Sequence, residues 1–342
     1  MVQGGIGPEP TSPGKCVLAS ARAPGGDNVS GPLLVIANPR SRSGRTGRSW
    51  PEIERQLRDS LGDLEVVFTE RPRHATVLAR EASERGVKTI VVGGGDGTIS
   101  EVVSGVLSSS APEEVSIGLL PLGSGGDLLR TVGVPGGLAA ACDVITQGRV
   151  RQVDAGRVRY VDRTGQRSEG WFVNEASMGL SADVAQQVDH MPKRLGGEVA
   201  FAAGAVRSIA RLRPSRVRVV ADGKRVHEGE TTLVAIANGR CFGGGMKIAP
   251  LAEVDDGQFD VVVGPAFPRW ALVGNLLPRL YSGRHLSHPR IDCHRASRVE
   301  IEPLGDAEPA PVEADGEWLG TLPLEVTLVP GALRVWAPEG CR

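Results

Sequence analysis

A glycine-rich turn between a strand pattern and a helix pattern constrains this sequence more than any other feature. The apolar run 87–92 predicts a buried strand, and residues 98–108 read as a helix. Between them lies Gly-Gly-Gly-Asp-Gly at 93–97, where glycine lets a ligand approach the backbone and helix-start amides favour phosphate. A carboxylate at Asp96 suits such a cradle when a metal ion or a hydroxyl proton is also handled there. The turn predicts a nucleotide-phosphate site, with an ordinary tight turn and an Asp96 N-cap as the structural alternative.

Two further strand ends carry similar chemistry. The run 115–120 leads into a second glycine-rich turn at 121–127, and the run 33–37 leads into a basic loop at 38–45. Because the carboxyl ends of parallel strands meet at one edge of a sheet, these segments predict a single polyphosphate-binding crevice. The first turn matches neither the Walker pattern nor G-x-G-x-x-G, which disfavours a P-loop NTPase and an ordinary dinucleotide site.

The pattern of apolar residues predicts two domains. Strands and helices alternate from 33 to 147, which indicates a doubly wound parallel sheet, and short β runs with turn signals follow, which indicates an antiparallel β-sandwich. The predicted limits are a disordered leader over 1–30, an α/β domain over 31–148 and a sandwich over 149–330. The predicted strands are 33–37, 64–68, 87–92, 115–120, 150–159, 168–174, 216–221, 231–237, 258–263, 297–302 and 324–335. The predicted helices are 48–60, 74–85, 98–108, 126–132 and 136–147, with helical inserts at 181–212 and 268–281.

Composition excludes several classes of protein. The net charge of −1 gives no indication of nucleic-acid binding, and no apolar run reaches the length of about 18 residues that spans a bilayer. No secretory apolar region follows Met1, and the five cysteines contain no C-x-x-C, so we expect reduced thiols in a cytoplasmic protein. The histidines near Cys293 match no zinc spacing.

Six motifs in order resemble the diacylglycerol kinase catalytic family, which includes sphingosine and ceramide kinases. They are NP-x-S at 38–41, GGDGT-x-x-E at 94–101, PLGSGGD at 121–127, the segment 171–180, and the turns 250–260 and 312–317. NAD kinases share a similar GGDG turn. The resemblance implies an NAD kinase-like α/β domain, a sandwich that receives the lipid, and a C-terminal segment over 331–342 that returns to the first domain.

The resemblance implies ATP contacts at four strand ends. They fall on Asn38, Pro39, Arg40, Ser41, Thr69, Gly94, Gly95, Asp96, Gly97, Thr98, Glu101, Gly123, Ser124 and Asp127. Asp96 is expected to hold Mg²⁺ directly or through water, whereas an N-cap role is the alternative for Asp127. The family's usual asparagine is Gly126 here, and its usual aromatic residue is Leu128 or Leu129.

The late motifs carry the remaining expected roles. Glu317 resembles the family's general base with Asp315 as its catalytic neighbour, although Asp-Gly alone predicts a hairpin turn. The resemblance also implies a second, structural Mg²⁺ at Glu253, Asp256 and Gln258, with backbone carbonyls as the ligands at the first and last positions and a solvated turn as the alternative. Asp183 resembles the aspartate that binds the sphingoid head group in sphingosine kinases. The alternatives for this residue are a helix N-cap and an exposed acid.

The expected reaction is transfer of the ATP γ-phosphate to a lipid hydroxyl. Diacylglycerol, giving phosphatidic acid for phospholipid synthesis, is the first choice of acceptor, with a sphingoid base or ceramide next. An NAD kinase-like activity and a non-catalytic nucleotide-binding regulator are the competing hypotheses. Peripheral contact with the inner membrane face is expected through the arginine-rich stretch 193–218 or the helix near Trp270, each of which also fits a core-facing helix. A homodimer is compatible with the sequence.

Overall fold

The structure is a computed structural model that describes residues 33–190, 197–305 and 308–340. The predicted leader over 1–30 lies outside the described residues, as do Lys193 and Arg194 of the basic stretch. Three cysteines lie within them and are free thiols, Cys142, Cys241 and Cys293.

The first part of the chain forms a parallel sheet in the strand order β2-β1-β3-β4. Its strands are β1 (Leu33–Ala37), β2 (Leu64–Phe68), β3 (Thr89–Gly94) and β4 (Ser116–Pro121). The central strands β1 and β3 are buried along their whole length, which explains their continuous apolar sequences. Strand β3 runs two residues further than predicted because Gly93 and Gly94 pair with Leu120 and Pro121.

Among the described residues, six helices accompany this sheet. The second packs against the sixth, and the third packs against the fourth. They are α1 (Arg45–Arg48), α2 (Trp50–Leu61), α3 (His74–Glu84), α4 (Asp96–Leu107), α5 (Asp127–Val132) and α6 (Leu138–Gln147). Short 3-10 turns lie at Ser41–Gly44 and Pro112–Glu114. The predicted doubly wound α/β architecture is confirmed.

The second part is an antiparallel β structure with its own core, in which Phe172 stacks on Phe259 at 5.6 Å between ring centroids. Its strands are β5 (Arg149–Asp162), β6 (Arg167–Phe172), β7 (Glu175–Gly179), β8 (Ser215–Ala221), β9 (Lys224–Ala237), β10 (Phe259–Pro265), β11 (Asp292–Ala296), β12 (Arg298–Pro303), β13 (Pro311–Ala314) and β14 (Glu317–Ala337). The sequence patterns did not predict β7, β11 or β13. Strand β11 reads Asp-Cys-His-Arg-Ala and lies at the end of the strand order, while the four residues of β13 include the buried Glu313.

Two helical insertions interrupt these strands, where the sequence predicts them. The first contains α7 (Leu180–Asp189) and α8 (Gly197–Arg211), and the second contains α9 (Arg269–Ala271), a π-type turn (Leu272–Leu276) and α10 (Leu277–Ser282), followed by a 3-10 turn at Arg284–Ser287. Within residues 33–190, 197–305 and 308–340, no helix is both long and apolar enough to cross a membrane.

Strand β14 joins the two halves into one continuous sheet. It begins in a hairpin with β13, pairs along most of its length with β5, and ends parallel to β4, where Arg334 lies opposite Ser116. The late turn at 315–317 and the glycine-rich turns are therefore carried by one connected framework. The domain limits stay a prediction.

Candidate active site

Asp96 fastens the two glycine-rich turns to each other. Its Oδ2 accepts the backbone N–H of Gly126 at 2.7 Å, and its Oδ1 accepts the N–H of Asp127 at 2.9 Å. A Cβ at position 125 would lie 2.1 Å from Asp96 Oδ2, and a Cβ at position 123 would lie 2.4 Å from the Cα of Gly95. Side chains at 123 and 125 would therefore separate the turns, which explains the glycines there.

The departure from the family pattern at Gly126 has a backbone explanation. Gly126 has φ +78° and ψ 39°, which is the left-handed region, and it immediately precedes α5. Glycine adopts this region without strain, and asparagine is among the few other residues that tolerate it. Glycine in place of the usual asparagine therefore fits the turn conformation.

The first loop completes the crevice. Asn38 Nδ2 donates to Thr98 Oγ1 at 3.1 Å, and Asn38 Oδ1 accepts the N–H of Arg40 at 2.9 Å. Arg42 crosses to the second turn, where its Nε donates to the carbonyl of Gly123 at 3.4 Å and its guanidinium also reaches the carbonyl of Pro121. Three strand ends thus meet at one edge of the sheet, as the sequence predicts.

The remaining predicted ATP contacts lie around this edge with different exposure. Ser41 donates its hydroxyl hydrogen to Thr46 at 2.6 Å, Pro39 accepts the N–H of Gly47 at 3.0 Å, and the backbone N–H of Thr69 donates to Ala37 at 2.9 Å. Thr98 and Gly94 are buried, whereas Gly97 and Ser124 are exposed.

A cavity of about 300 Å³ opens between the two glycine-rich turns. Its lining includes Arg42, Gly95, Asp96, Gly123, Gly126 and Arg130. Two guanidinium groups beside glycine amides and the start of α4 form surroundings that suit a polyphosphate. Arg130 is a lining residue that the sequence reading did not single out.

Asp127 does not act as the cap of α5, because that residue is Gly126. Its carboxylate accepts Arg130 Nη1 at 2.8 Å and the backbone N–H of Gly244 at 2.8 Å, so it ties α5 to a turn of the second half. Burial, with a smaller contribution from the nearby Asp96 charge, raises the pKa of Asp127. The contact between Asp127 and ATP stays a prediction. Its hydrogen bonds indicate that it stabilises the turn before α5.

Glu101 faces the start of α3. It accepts the N–H groups of Arg73 and Ala75 at 3.0 and 3.1 Å, and burial raises its pKa. Both oxygens therefore stabilise the beginning of α3, and direct contact with ATP stays a prediction.

The turn at 315–317 is a hairpin between β13 and β14, with Asp315 at φ +47° and Gly316 at φ +80°. The partly buried carboxylate of Asp315 accepts the N–H groups of Val173, Asn174 and Glu175 at 3.0, 2.9 and 3.1 Å. Burial raises the pKa of Asp315, and these three backbone hydrogen bonds oppose that shift. Asp315 thus anchors the turn, which brings the predicted base beside α4.

Glu317 projects from this turn and is partly exposed. Its Oε1 accepts Nε of Arg73 at 3.0 Å, and the two groups form an ion pair across the chain. Sequence reasoning missed Arg73 because it belongs to no motif and lies 244 positions away. The basic run Arg71-Pro-Arg73 before α3 is the signal that was available.

A buried pair of carboxyl groups lies behind the same turn. Burial and the neighbouring Glu313 charge raise the pKa of Glu175 well above its usual range, and burial also raises the pKa of Glu313. Glu313 accepts the hydroxyl of Ser177 and the N–H of Gly316, the latter at 2.9 Å. A proton shared between Glu175 and Glu313 explains how two acidic side chains can be buried next to each other. Strand periodicity gives no signal for this pair.

The aspartates of the turn expected to hold a second Mg²⁺ are engaged by arginines. Asp256 accepts the N–H of Gln258 at 3.1 Å and pairs with Arg295, while the neighbouring Asp255 is held by Arg151 through two bonds of 2.7 Å. Glu253 and Gln258 are exposed. In the part of the chain that the structure describes, no three His, Cys, Asp or Glu side chains form a metal-ligand group. The expected site relies on backbone carbonyls at Glu253 and Gln258 beside Asp256, and the second Mg²⁺ stays a prediction.

Asp183 lies in the first turn of α7, whose N-cap is Gly179. Burial raises the pKa of Asp183 to about 6. Among the described residues, no hydrogen bond or ion pair engages its carboxylate. A half-buried acid without a counter-charge is costly, which is typical of a group that meets a ligand.

Comparisons with known proteins agree with this architecture. Residues 32–158 match the family model of the diacylglycerol kinase catalytic domain, and residues 174–337 match that of the YegS C-terminal NAD kinase beta sandwich-like domain. A diacylglycerol kinase of Mycobacterium tuberculosis is 29% identical over 310 residues, which cover 90% of this chain and 96% of the relative.

Solved structures give the same result. A candidate diacylglycerol kinase from Bacillus anthracis aligns with TM-score 0.71 and 26% identity, over 90% of this chain and 95% of that one. An Archaeoglobus fulgidus NAD kinase, solved with ATP, aligns with TM-score 0.50 at 13% identity over 90% of this chain and 94% of that one, which shows a shared fold alone. The two matched models follow each other along most of the sequence, and the chain therefore carries a diacylglycerol kinase catalytic domain followed by a YegS-type C-terminal domain.

Proposed function

We propose that this protein is an ATP-dependent lipid kinase that transfers the γ-phosphate of ATP to a lipid hydroxyl. The observation that carries the proposal is the fastening of two glycine-rich turns by Asp96, with Glu317 connected through Arg73 to Glu101 of the same helix α4. This arrangement supports a phosphate cradle with a carboxylate base nearby. The names of the relatives and the family model support the same reaction.

The nucleotide site suits ATP that arrives with Mg²⁺. Magnesium prefers one or two carboxylates together with phosphate oxygens and water, so Asp96 beside the cavity is a sufficient protein donor. When bound there, Mg²⁺ would neutralise charge on the phosphates. The backbone amides of 94–98 and the guanidinium groups of Arg42 and Arg130 would orient the polyphosphate for in-line transfer.

Glu317 is the proposed base. The acceptor hydroxyl oxygen forms the new P–O bond as the bond from the γ-phosphorus to the β–γ bridging oxygen breaks. The hydroxyl proton passes to the Glu317 carboxylate, and ADP leaves with the bond electrons. Asp315 contributes by position, since its three backbone hydrogen bonds fix the turn that presents Glu317.

Diacylglycerol is the first acceptor to test, because the relatives carry that name. A specific observation favours a sphingoid base as the second. Asp183 is a half-buried carboxyl without a counter-charge among the described residues, and a cationic amine would supply one. Ceramide has no such amine and follows these two.

A non-catalytic nucleotide-binding regulator is the alternative function. The observation in its favour is the ion pair that engages Glu317 with Arg73. Intact Asp96, Thr98 and Glu317 favour the enzyme instead.

The test is ADP release from Mg·ATP across micellar diacylglycerol, sphingosine, ceramide, phosphatidylglycerol and glycerol. Release with one lipid, lost in Glu317→Gln while ATP binding is retained, supports the kinase. ATP binding without release on any lipid supports the regulator. Glu169→Gln, in an exposed carboxylate on β6, serves as the matched control.

A further inference from the structure

The helical insertion over 269–282 has an apolar outer face. Trp270, Val273 and Tyr281 are 77%, 54% and 56% exposed, and Leu277 is partly exposed between them. Their spacing of three, four and four residues places them along one side of a helix. We call these four residues the outer face.

The opposite side of this insertion is buried in the folded protein. Leu272 and Leu276 are buried in a small apolar cluster with Leu212 and Phe267, and Leu180 packs against it. A surface helix with a buried apolar side normally presents polar residues to water. Single exposed apolar residues are common, but a continuous stripe indicates a contact surface.

The charges around the outer face have one sign. Residues 261–291 contain four arginines, Arg269, Arg279, Arg284 and Arg290, and no aspartate or glutamate. None of the four forms an ion pair with a described residue, whereas Arg218 and Arg298 on the sandwich strands both pair with glutamates. Arg269 instead donates to the carbonyl of Leu212, and Arg290 stacks over Phe267 at 4.9 Å. In a chain with net charge −1, this patch is distinctly basic.

We propose that the outer face docks the protein on an anionic lipid bilayer, with Trp270 in the interface and the arginines on the headgroups. Trp, Tyr and leucine beside unpaired arginines form the composition that lies in a bilayer interface. This inference rests on the proposed function in one respect: a lipid acceptor has to be met at a membrane.

The position of the insertion connects docking with the acceptor. Its inner side contacts Leu180, the first residue of α7, and Asp183 lies one turn further along that helix. A bilayer bound to the outer face would therefore be separated from Asp183, the proposed head-group residue, by one layer of helix. Of the two membrane contacts that the sequence leaves open, the structure favours the helix near Trp270.

The test is sedimentation of the full-length protein with vesicles of phosphatidylglycerol and phosphatidylcholine, and with phosphatidylcholine alone. We expect binding to the anionic vesicles that weakens with salt. Arg279→Gln with Arg284→Gln should lower partitioning about 25-fold, since each basic residue contributes about fivefold at such a surface. Trp270→Ala should lower it about tenfold. Phe68→Ala and Arg55→Gln, on the first sheet and on α2, are the controls and should bind as the unmodified protein does.

Fluorescence gives a second readout. Vesicles should shift tryptophan emission to the blue, and Trp270→Phe should keep binding but lose the shift. Equal binding of all variants would overturn the proposal, as would a blue shift that persists in Trp270→Phe. A dimer in solution that Trp270→Ala dissociates, together with no vesicle binding, would assign the face to a second copy and also overturn it. Vesicle binding without any lipid phosphorylation would contradict the proposed function and leave the docking surface supported.

Discussion

Arg73 and Glu317 form an ion pair between the start of α3 and the hairpin of β13 and β14, 244 positions apart in sequence. The pair spans the edge where the glycine-rich turns open, and it engages the proposed base before any nucleotide is bound. Arg73 has left-handed φ and donates its backbone N–H to Glu101, so its position is fixed by α3 and α4. A γ-phosphate would compete with Glu317 for this guanidinium.

The first prediction concerns that competition. Arg73→Ala should weaken ATP binding about tenfold and ADP binding much less, because a charge-assisted hydrogen bond contributes about 1.5–3 kcal/mol and ADP has no γ-phosphate. Calorimetric titration with both nucleotides measures the difference, and Arg73→Lys should recover part of it. Arg71→Ala is the matched control. An equal loss for ATP and ADP would contradict this role.

Glu317→Gln should lower kcat by a factor of about 10² to 10⁴, the range for loss of a general base, with the Kd for ATP little changed. Steady-state kinetics with the best acceptor, together with nucleotide titration, separates the two quantities. Full turnover in this variant would remove Glu317 from the mechanism.

Asp96→Ala should destabilise the fold as well as abolish activity. Two backbone N–H groups at the start of α5 would lose their acceptor, at a cost of about 1–3 kcal/mol each. Asp96→Asn keeps an acceptor oxygen and should recover part of the loss in Tm without recovering activity. Thermal unfolding of both variants checks this, and equal Tm values for Asp96→Ala and the unmodified protein would contradict the fastening role.

Glu175→Gln should make stability less dependent on pH. The pKa of Glu175 is raised in the folded protein, so the folded state holds a proton that the unfolded state releases above about pH 4.5. Stability therefore falls as pH rises from that point, with a slope of up to about 1.4 kcal/mol per pH unit for one proton. The variant should be the more stable form at pH 8, and the gain should shrink toward pH 4. Denaturant unfolding across this range measures it, and a gain independent of pH would contradict the shared proton.

Asp183→Asn tests the same dependence of stability on pH at the residue proposed to meet the acceptor. The pKa of Asp183 is about 6 in the folded protein, above its ordinary value, so its penalty to folding develops as pH rises from about 4 to 6. The variant should gain about 1–2 kcal/mol at pH 8 relative to pH 4, an estimate reduced for partial exposure. If a sphingoid amine binds here, its affinity should rise with pH through 6 and be lost in the variant. Diacylglycerol phosphorylation should not follow that titration.

Local patterns predicted the fold where one face or both faces of an element are covered by the core. The runs at 33–37 and 64–68 became strands with those limits, and the glycine-rich turns met at one edge as the rule for parallel sheets requires. The short strand β13 was missed because Glu313 interrupts its apolar pattern, and its carboxyl is buried through contacts with Glu175 and Ser177. Those partners are distant in sequence.

The same distinction between local patterns and distant contacts applies to the candidate active site. Motifs located Asp96, Thr98 and Glu317, but they did not reveal that Asp96 binds the backbone at 126 and 127 or that Arg73 pairs with Glu317. The turn at 253–258 gives a second example. Its sequence predicts a cation site, but it did not reveal that Arg151 and Arg295, from strands β5 and β11, pair with its aspartates. Long-range cations of this kind leave no local signal.

Transfer of labelled γ-phosphate from Mg·ATP to extractable lipid tests the central claim most directly. The unmodified protein should label one lipid class, most strongly diacylglycerol, and Glu317→Gln should label none while still binding ATP. Label that never enters any lipid in the panel, from a protein that binds ATP with normal affinity, would contradict the account.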